Sequence, residues 1–280
     1  MNDKKVEEKE SSFIGHLTEL RSRLIKSIIY VFVIFVISYT FAENIYNFLV
    51  QPYADAVKED ELNRRLIFTA LHETFITYLK LSFFAAVFVG SPIIITHIWK
   101  FIAPGLYKNE KMALLPYLIA TPTLFLLGGM LVYYLVMPLA IKFFLSFETA
   151  AQANNLPIQL EAKVNEYLSL IMRLIFAFGL SFQLPVLLSL LARVGFVDSD
   201  YLKKRRKYVI VIIFAVAAIL TPPDPITQIG LGIPLLILYE LSILSVKIIE
   251  KKKNLNKRKK LFHGKGTKAN FLDLKIYQKI

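Results

Sequence analysis

The stretch Tyr208–Val246, YVIVIIFAVAAILTPPDPITQIGLGIPLLILYELSILSV, decides the fold. Its 39 residues carry two charges, Asp224 and Glu240. As one straight helix it would run about 58 Å at about 1.5 Å per residue, nearly twice the about 30 Å hydrocarbon core of a bilayer. At its centre stands Thr221-Pro222-Pro223-Asp224-Pro225, where the prolines remove backbone donors and bar helical geometry from the residues before them. The spacing predicts two short spans, about 208–221 and 226–246, joined by a tight turn.

Outward from this turn the chain is uncharged over Ser27–Ala42, Leu81–Trp99, Met112–Ile141 and Leu174–Ala192. A span needs about 20 mostly apolar residues, so these predict four more, the first over Leu24–Phe41. The expected fold is an all-α integral membrane protein with six transmembrane helices, the last two short. Composition agrees: of 280 residues 55% are hydrophobic and 20% charged, against about 45–50% and about 25% in soluble domains. A dissolved cytosolic enzyme and a disordered or collagen-like chain are disfavoured. With no cysteine, disulfides, thiolate zinc sites and cysteine nucleophiles are excluded. The first span follows a long, mixed-charge segment and precedes no small-residue cleavage site, so it reads as a retained anchor.

Charge sets the orientation. With six spans, one side collects 27 of the 34 Lys and Arg residues and the other collects 5, so the positive-inside rule places both termini in the cytoplasm. The net charge of +13 is then mostly this bias, and no nucleic-acid partner is expected. Residues 1–246 read as a six-span membrane domain with an N-terminal amphipathic helix. Residues 247–280 read as a flexible basic cytoplasmic tail, its cations suited to anionic membrane lipid.

Between the spans, Phe13–Lys26 places Phe13, Leu17, Leu20 and Leu24 on one helical stripe and His16, Glu19, Arg23 and Lys26 on another. In Trp99–Met112, Ala103-Pro104-Gly105 is expected to break the chain, and Asn109 to cap the next helix with Glu110 in its first turn. Asp198–Lys207 is expected to form a basic loop. On the far side Glu43–Thr74, containing Pro52, and Phe147–Glu166 are long enough for short helices or caps. No phosphate-binding loop, H-E-x-x-H or G-x-S-x-G appears, and the four histidines do not pair at ligand spacing. No catalytic residue, metal or cofactor is expected. Gln183, beside Pro185 at mid-span, suits an interhelical hydrogen bond. Asp224 suits the proline turn, and His97 and Glu240 lie near an interface. Glu19 has an ordinary partner in Arg23 at i+4, and Glu110 an ordinary place at a helix start.

Three motifs carry a resemblance. His16-Leu17-Thr18-Glu19-Leu20-Arg21-Ser22-Arg23-Leu24, Phe101-Ile102-Ala103-Pro104-Gly105-Leu106-Tyr107-Lys108-Asn109-Glu110 and Leu220-Thr221-Pro222-Pro223-Asp224-Pro225-Ile226-Thr227-Gln228 resemble, in order and spacing, the signatures of the TatC family of the twin-arginine protein translocase. Pro52, and Glu73 with Phe75, fit the same pattern. The resemblance implies receptor work rather than catalysis: binding twin-arginine signal peptides of folded precursors in the bacterial cytoplasmic membrane. It also implies a multi-copy complex with the single-span partners TatA and TatB, driven by the proton-motive force. Carried onto this chain, Glu19 and Glu110 would hold the arginine pair, with His16, Arg21, Phe101, Leu106 and Tyr107 shaping the site. Gln183, Phe75, Pro52, Asp224 and Gln228 would serve as intramembrane polar groups or partner-helix contacts. Family members often carry Glu where this chain has Gln183, and a neutral amide cannot release a proton. A solute transporter, the alternative class, calls for several convergent polar groups at mid-depth, where Gln183 stands nearly alone.

Overall fold

The computed structural model describes residues 3–57, 65–106, 111–149, 156, 158–221 and 224–264, leaving aside the side chains of 3–14, 16–17, 98–106, 111–115 and 256–264. Within these residues the regular structure is helical. The elements are α1 (Asp3–Thr40), α2 (Ala42–Val57), α3 (Glu73–Leu106), α4 (Lys111–Leu131), a π-helical turn (Val132–Val136), α5 (Met137–Leu145), α6 (Val164–Ser181), α7 (Leu184–Val194), α8 (Ser199–Leu220) and α9 (Pro225–Gly264). Two isolated bridges, Ile67 with Lys163 and Thr149 with Ile158, tie the loops together.

Four segments are long and apolar enough to cross a membrane: Glu73–His97, Pro116–Leu145, Val164–Val194 and Pro225–Leu255. A fifth is bent, Thr18–Thr40 meeting Ala42–Val57 at 79°. α8 falls short because its first turns hold five consecutive cations, Lys203–Lys207, before the apolar run that begins at Tyr208.

Four expectations need correction. Asp198–Lys207 is not a loop, because α8 begins at Ser199 and carries Lys203–Lys207 in its first turns. Ala103-Pro104-Gly105 does not break the chain, since α3 continues to Leu106; a proline this close to a C-terminus disturbs only the last turns. The fourth span is longer than Leu174–Ala192 and is interrupted, α6 ending at Ser181 and α7 starting at Leu184. Pro185 lies in the first turn of α7, where its missing donor costs little. Finally, α9 remains helical past Val246 to Gly264. Asn109 lies outside the described residues.

Packing begins with α1 against α3, which run antiparallel. Ser27 of α1 meets His97 of α3, Oγ to Nδ1 at 2.8 Å, while a Cβ on Gly90 would touch Ile34 at 3.4 Å and Val31 at 3.6 Å. α4 crosses α6 at closer range, a Cβ on Gly128 falling 2.8 Å from the Phe178 carbonyl group. The core between them holds Leu81, Met137, Leu168, Ile171, Leu174, Phe178 and Leu231, all fully buried. On α1, Leu24, Ile28, Ile29, Phe32 and Val36 face outward, as lipid-covered positions do.

α2 shows how its proline is accommodated. Pro52 has no N–H, so the carbonyl of Phe48 four residues earlier loses its helical donor. The Tyr133 hydroxyl donates to that oxygen at 2.7 Å, with its ring stacked on Phe48 at 4.5 Å. The Tyr167 hydroxyl donates to the next carbonyl, Leu49, at 3.0 Å. Tyr133→Phe strands the Phe48 oxygen and should cost about 1–3 kcal/mol, read as earlier thermal unfolding in detergent. Tyr134→Phe, at an exposed neighbour, should leave unfolding unchanged.

α9 starts on Asp224, whose Oδ1 accepts from the Thr227 N–H at 2.7 Å and whose Oδ2 accepts from the Thr227 hydroxyl. This satisfies a first-turn donor with Pro225 in the favoured first position. Its far portion is bolted to α8: Glu250 accepts from the Ser199 N–H at 2.9 Å and from the Ser199 hydroxyl at 2.6 Å. Arg206 pairs with Glu240 at 2.6 Å, and the Tyr239 hydroxyl donates to the Leu202 carbonyl at 2.8 Å.

Candidate functional site

The ends of α1, α3, α4, α7 and α8 meet at one pole of the bundle. Arg193 of α7 reaches Tyr117 of α4, donating from Nε to its hydroxyl at 2.9 Å and lying over its ring. α7 then stops at Gly195, the one described residue with positive φ, whose N–H and that of Phe196 cap the last turn. Basic residues concentrate at this pole, among them Arg21, Arg23, Lys26, Arg193, Lys203–Lys207, Lys247 and Lys251–Lys253. The Lys203 ammonium, hydrogen-bonded at 3.0 Å, holds the Asp200 carboxyl below its usual range, with Lys204 and Lys247 adding to the effect.

A cavity of about 460 Å³ opens here, lined by Thr18, Glu19, Ser22, Arg23, Lys26 and His97. Glu19 is its one described acidic wall. Arg23 lies one turn further along α1 and donates from both Nε (3.0 Å) and Nη2 (2.5 Å) to the same oxygen, Glu19 Oε1. Both groups are partly exposed, so the pair itself adds little stability. Ser27 fixes the floor, donating to the Arg23 carbonyl at 3.0 Å and meeting His97, whose ring lies 6.1 Å from that of Tyr30.

The register of α1 and α3 puts the two sequence motifs side by side. From the Ser27–His97 contact, Glu19 lies eight residues back along α1 and Leu106 nine residues on along α3. Between antiparallel helices both steps lead the same way, about 12 and about 13.5 Å. The backbone at Leu106, the last residue of α3, therefore lies level with Glu19. Glu110 and Tyr107 lie outside the described residues, as do the side chains of His16, Phe101 and Leu106. Arg21 is exposed on α1.

The remaining candidates lie elsewhere. Gln183 sits at the α6–α7 break and donates from Nε2 to the Thr121 carbonyl at 3.0 Å and to that of Gly179 at 3.4 Å, while its buried Oε1 has no partner among the described residues. Gln228 donates to the Phe214 carbonyl at 3.3 Å, tying α9 to α8. Asp224 is occupied as a helix cap. Pro52 is buried at the opposite pole, and Phe75 is exposed there at the start of α3. Glu73 braces the same region, accepting from the N–H groups of Thr69 at 2.7 Å, Ala70 at 3.3 Å and Asn165 at 3.4 Å.

Sequence reasoning gave His97 an interfacial place and missed its pairing with Ser27. It also missed Thr18 and Ser22 as cavity walls. Thr18, Ser22 and Lys26 recur every fourth residue beside Glu19 and Arg23, so helical spacing carried that signal. Nothing local could have disclosed Tyr117 with Arg193.

A helical bundle of several apolar spans, with an acidic group in a basic cavity at one pole, is the architecture of a multi-pass membrane protein. Residues 15–234 match the family model for the Sec-independent protein translocase protein TatC. The chain is 46% identical over 246 residues to the Sec-independent protein translocase protein TatC of Magnetococcus marinus, covering 88% of each chain. It is 38% identical to that of Escherichia coli strain K12, covering 82% of this chain and 86% of that one. A solved structure, the crystal structure of the twin arginine translocase receptor TatC, superposes with a TM-score of 0.71 at 36% identity, covering 84% of this chain and 99% of that one. The chain belongs to the TatC family of Sec-independent protein translocase components.

Proposed function

We propose that this chain is the signal-recognising core of a twin-arginine translocase, binding the paired arginines of precursor signal peptides at Glu19 and Glu110. The observation that carries this reading is the carboxylate of Glu19 on the wall of a cavity whose other described charged groups are cations. A carboxylate accepts the planar guanidinium fork through two parallel hydrogen bonds and an ammonium only as a point charge. Two carboxylates can therefore select two arginines. In this reading His16, Arg21, Phe101, Leu106 and Tyr107 shape the site around the pair.

In this reading the membrane domain crosses six times: the four long segments, the bent α1–α2 pair as one crossing, and the short apolar part of α8. The basic pole lies in the cytoplasm with both termini, in a bacterial inner membrane, its cations beside anionic lipid. TatA- and TatB-type single-span proteins assemble on it in several copies, using Gln183, Gln228 and Asp224 at depth and Pro52 and Phe75 at the outer pole. The complex exports folded precursors under the proton-motive force, with no catalytic residue, cofactor or nucleic acid involved.

The test is binding of a twin-arginine signal peptide to the detergent-solubilised protein. A Lys-Lys version of the same peptide should bind at least about tenfold more weakly, the loss of one charge-assisted hydrogen bond. Equal binding of the two peptides sinks the reading.

A further inference from the structure

The contact between Arg23 and Glu19 has an arithmetic that bears on ligand binding. Each carboxylate oxygen accepts about two hydrogen bonds, and Oε1 of Glu19 already accepts two, from Arg23 Nε and Nη2. Among the described residues Oε2 accepts none. A guanidinium fork binds a carboxylate across both oxygens, so it cannot seat on Glu19 while Arg23 saturates one of them. An ammonium is a single-point donor and can take Oε2 without disturbing Arg23. Both side chains line the same cavity, and Glu19 is 38% exposed and Arg23 26%, so an incoming ligand reaches the pair directly. Arg23 can swing away along a helix that Ser27 anchors through the Arg23 carbonyl rather than through its side chain.

We propose that Arg23 is a resident competitor for Glu19, which an incoming signal-peptide arginine must displace, and that this contact sets both the affinity and the arginine preference of the site. The proposal rests on the reading of Glu19 as a guanidinium-binding carboxylate given above. Arg23 does not touch the chemistry of transport; it is a specificity-determining residue acting through Glu19. With Arg23 in place, binding is weakened and the fork's advantage over a point charge is narrowed. A receptor that must release its cargo gains from such a competitor.

The experiment uses the full-length protein in nanodiscs and two synthetic signal peptides, one Arg-Arg and one Lys-Lys. Arg23→Gln should tighten the Arg-Arg peptide at least about twofold, the scale of an exposed i,i+4 ion pair. The Lys-Lys peptide should tighten less, so the ratio of the two dissociation constants widens. Arg23→Lys keeps the local charge and removes only the fork; tightening there too shows that relief of repulsion is not the cause. In a Glu19→Gln background, Arg23→Gln should shift both peptides equally and leave their ratio fixed. Weaker Arg-Arg binding in both Arg23 variants, or a ratio that stays constant while Glu19→Gln still weakens binding, overturns the competitor and spares the binding site. If Glu19→Gln leaves binding unchanged, the site itself is wrong and the competitor falls with it.

Discussion

Glu19→Ala and Glu110→Ala should each weaken twin-arginine signal-peptide binding about 10- to 100-fold, and the double variant should abolish export of a folded precursor in cells. The magnitude follows from the hydrogen bonds each carboxylate would make to a charged partner, about 1.5–3 kcal/mol. In both variants the loss should exceed that in the corresponding Gln variant, whose amide oxygen still accepts one hydrogen bond. Isothermal titration in detergent reads the binding, and appearance of precursor in the periplasm reads the export. Normal export by the double variant would remove both residues from the mechanism. Photocrosslinking from either position to a twin-arginine precursor provides the positive control. It should be lost when the precursor's arginines are replaced by lysines.

Gly128→Val should be the most damaging single change to the fold itself. A Cβ at Gly128 lies 2.8 Å from the carbonyl carbon and oxygen of Phe178 and 2.9 Å from Cα of Gly179. These are backbone atoms of α6 and cannot swing aside as a flexible side chain can. Overpacking typically costs about 1–3 kcal/mol and more where nothing can yield, and small residues are what allow membrane helices to approach this closely. Opening α4 from α6 also pulls Thr121 away from Gln183, whose Nε2 bonds the Thr121 carbonyl, and uncovers Phe178 at the centre of the core. The expected result is a protein that aggregates on detergent extraction, with unfolding at least 10 °C lower by dye fluorescence, since about 1 kcal/mol shifts a larger domain by about 2–4 °C. Gly15→Ala, where an added Cβ meets nothing within 4 Å, should be harmless to stability. Unaltered unfolding of Gly128→Val would refute the close crossing.

Where charge and proline govern, the chain could be read directly. The Tyr208–Val246 stretch turns at its prolines, with Asp224 as a cap, because missing donors and short polar side chains act within a few residues. The pairing of Glu19 with Arg23 was legible for the same reason, being one helical turn long. Pro104 misled because a proline's effect depends on its distance from the helix end, and α3 had only two residues left to run. Contacts across about 50 to 120 positions left no local trace. Tyr133 replacing the donor that Pro52 lacks, Tyr167 reaching the Leu49 carbonyl, Arg193 finding Tyr117, and Gly128 meeting Phe178 all arise from how helices stack. The break at Gln183 was half visible: Pro185 announced a disturbance, while its position after Ser181 depends on α6 packing against α4.

The long helical course of α9 has a mechanical consequence. Its forty residues stay helical although Pro234 lies inside and leaves the Gly230 carbonyl without its helical donor. They span about 60 Å, capped by Asp224 at one end and clamped to α8 by Glu250 near the other. A tilt of about 10° at the cap carries Gly264 through about 10 Å. Any such tilt has to carry α8 with it, because Ser199 and Arg206 are bonded to Glu250 and Glu240.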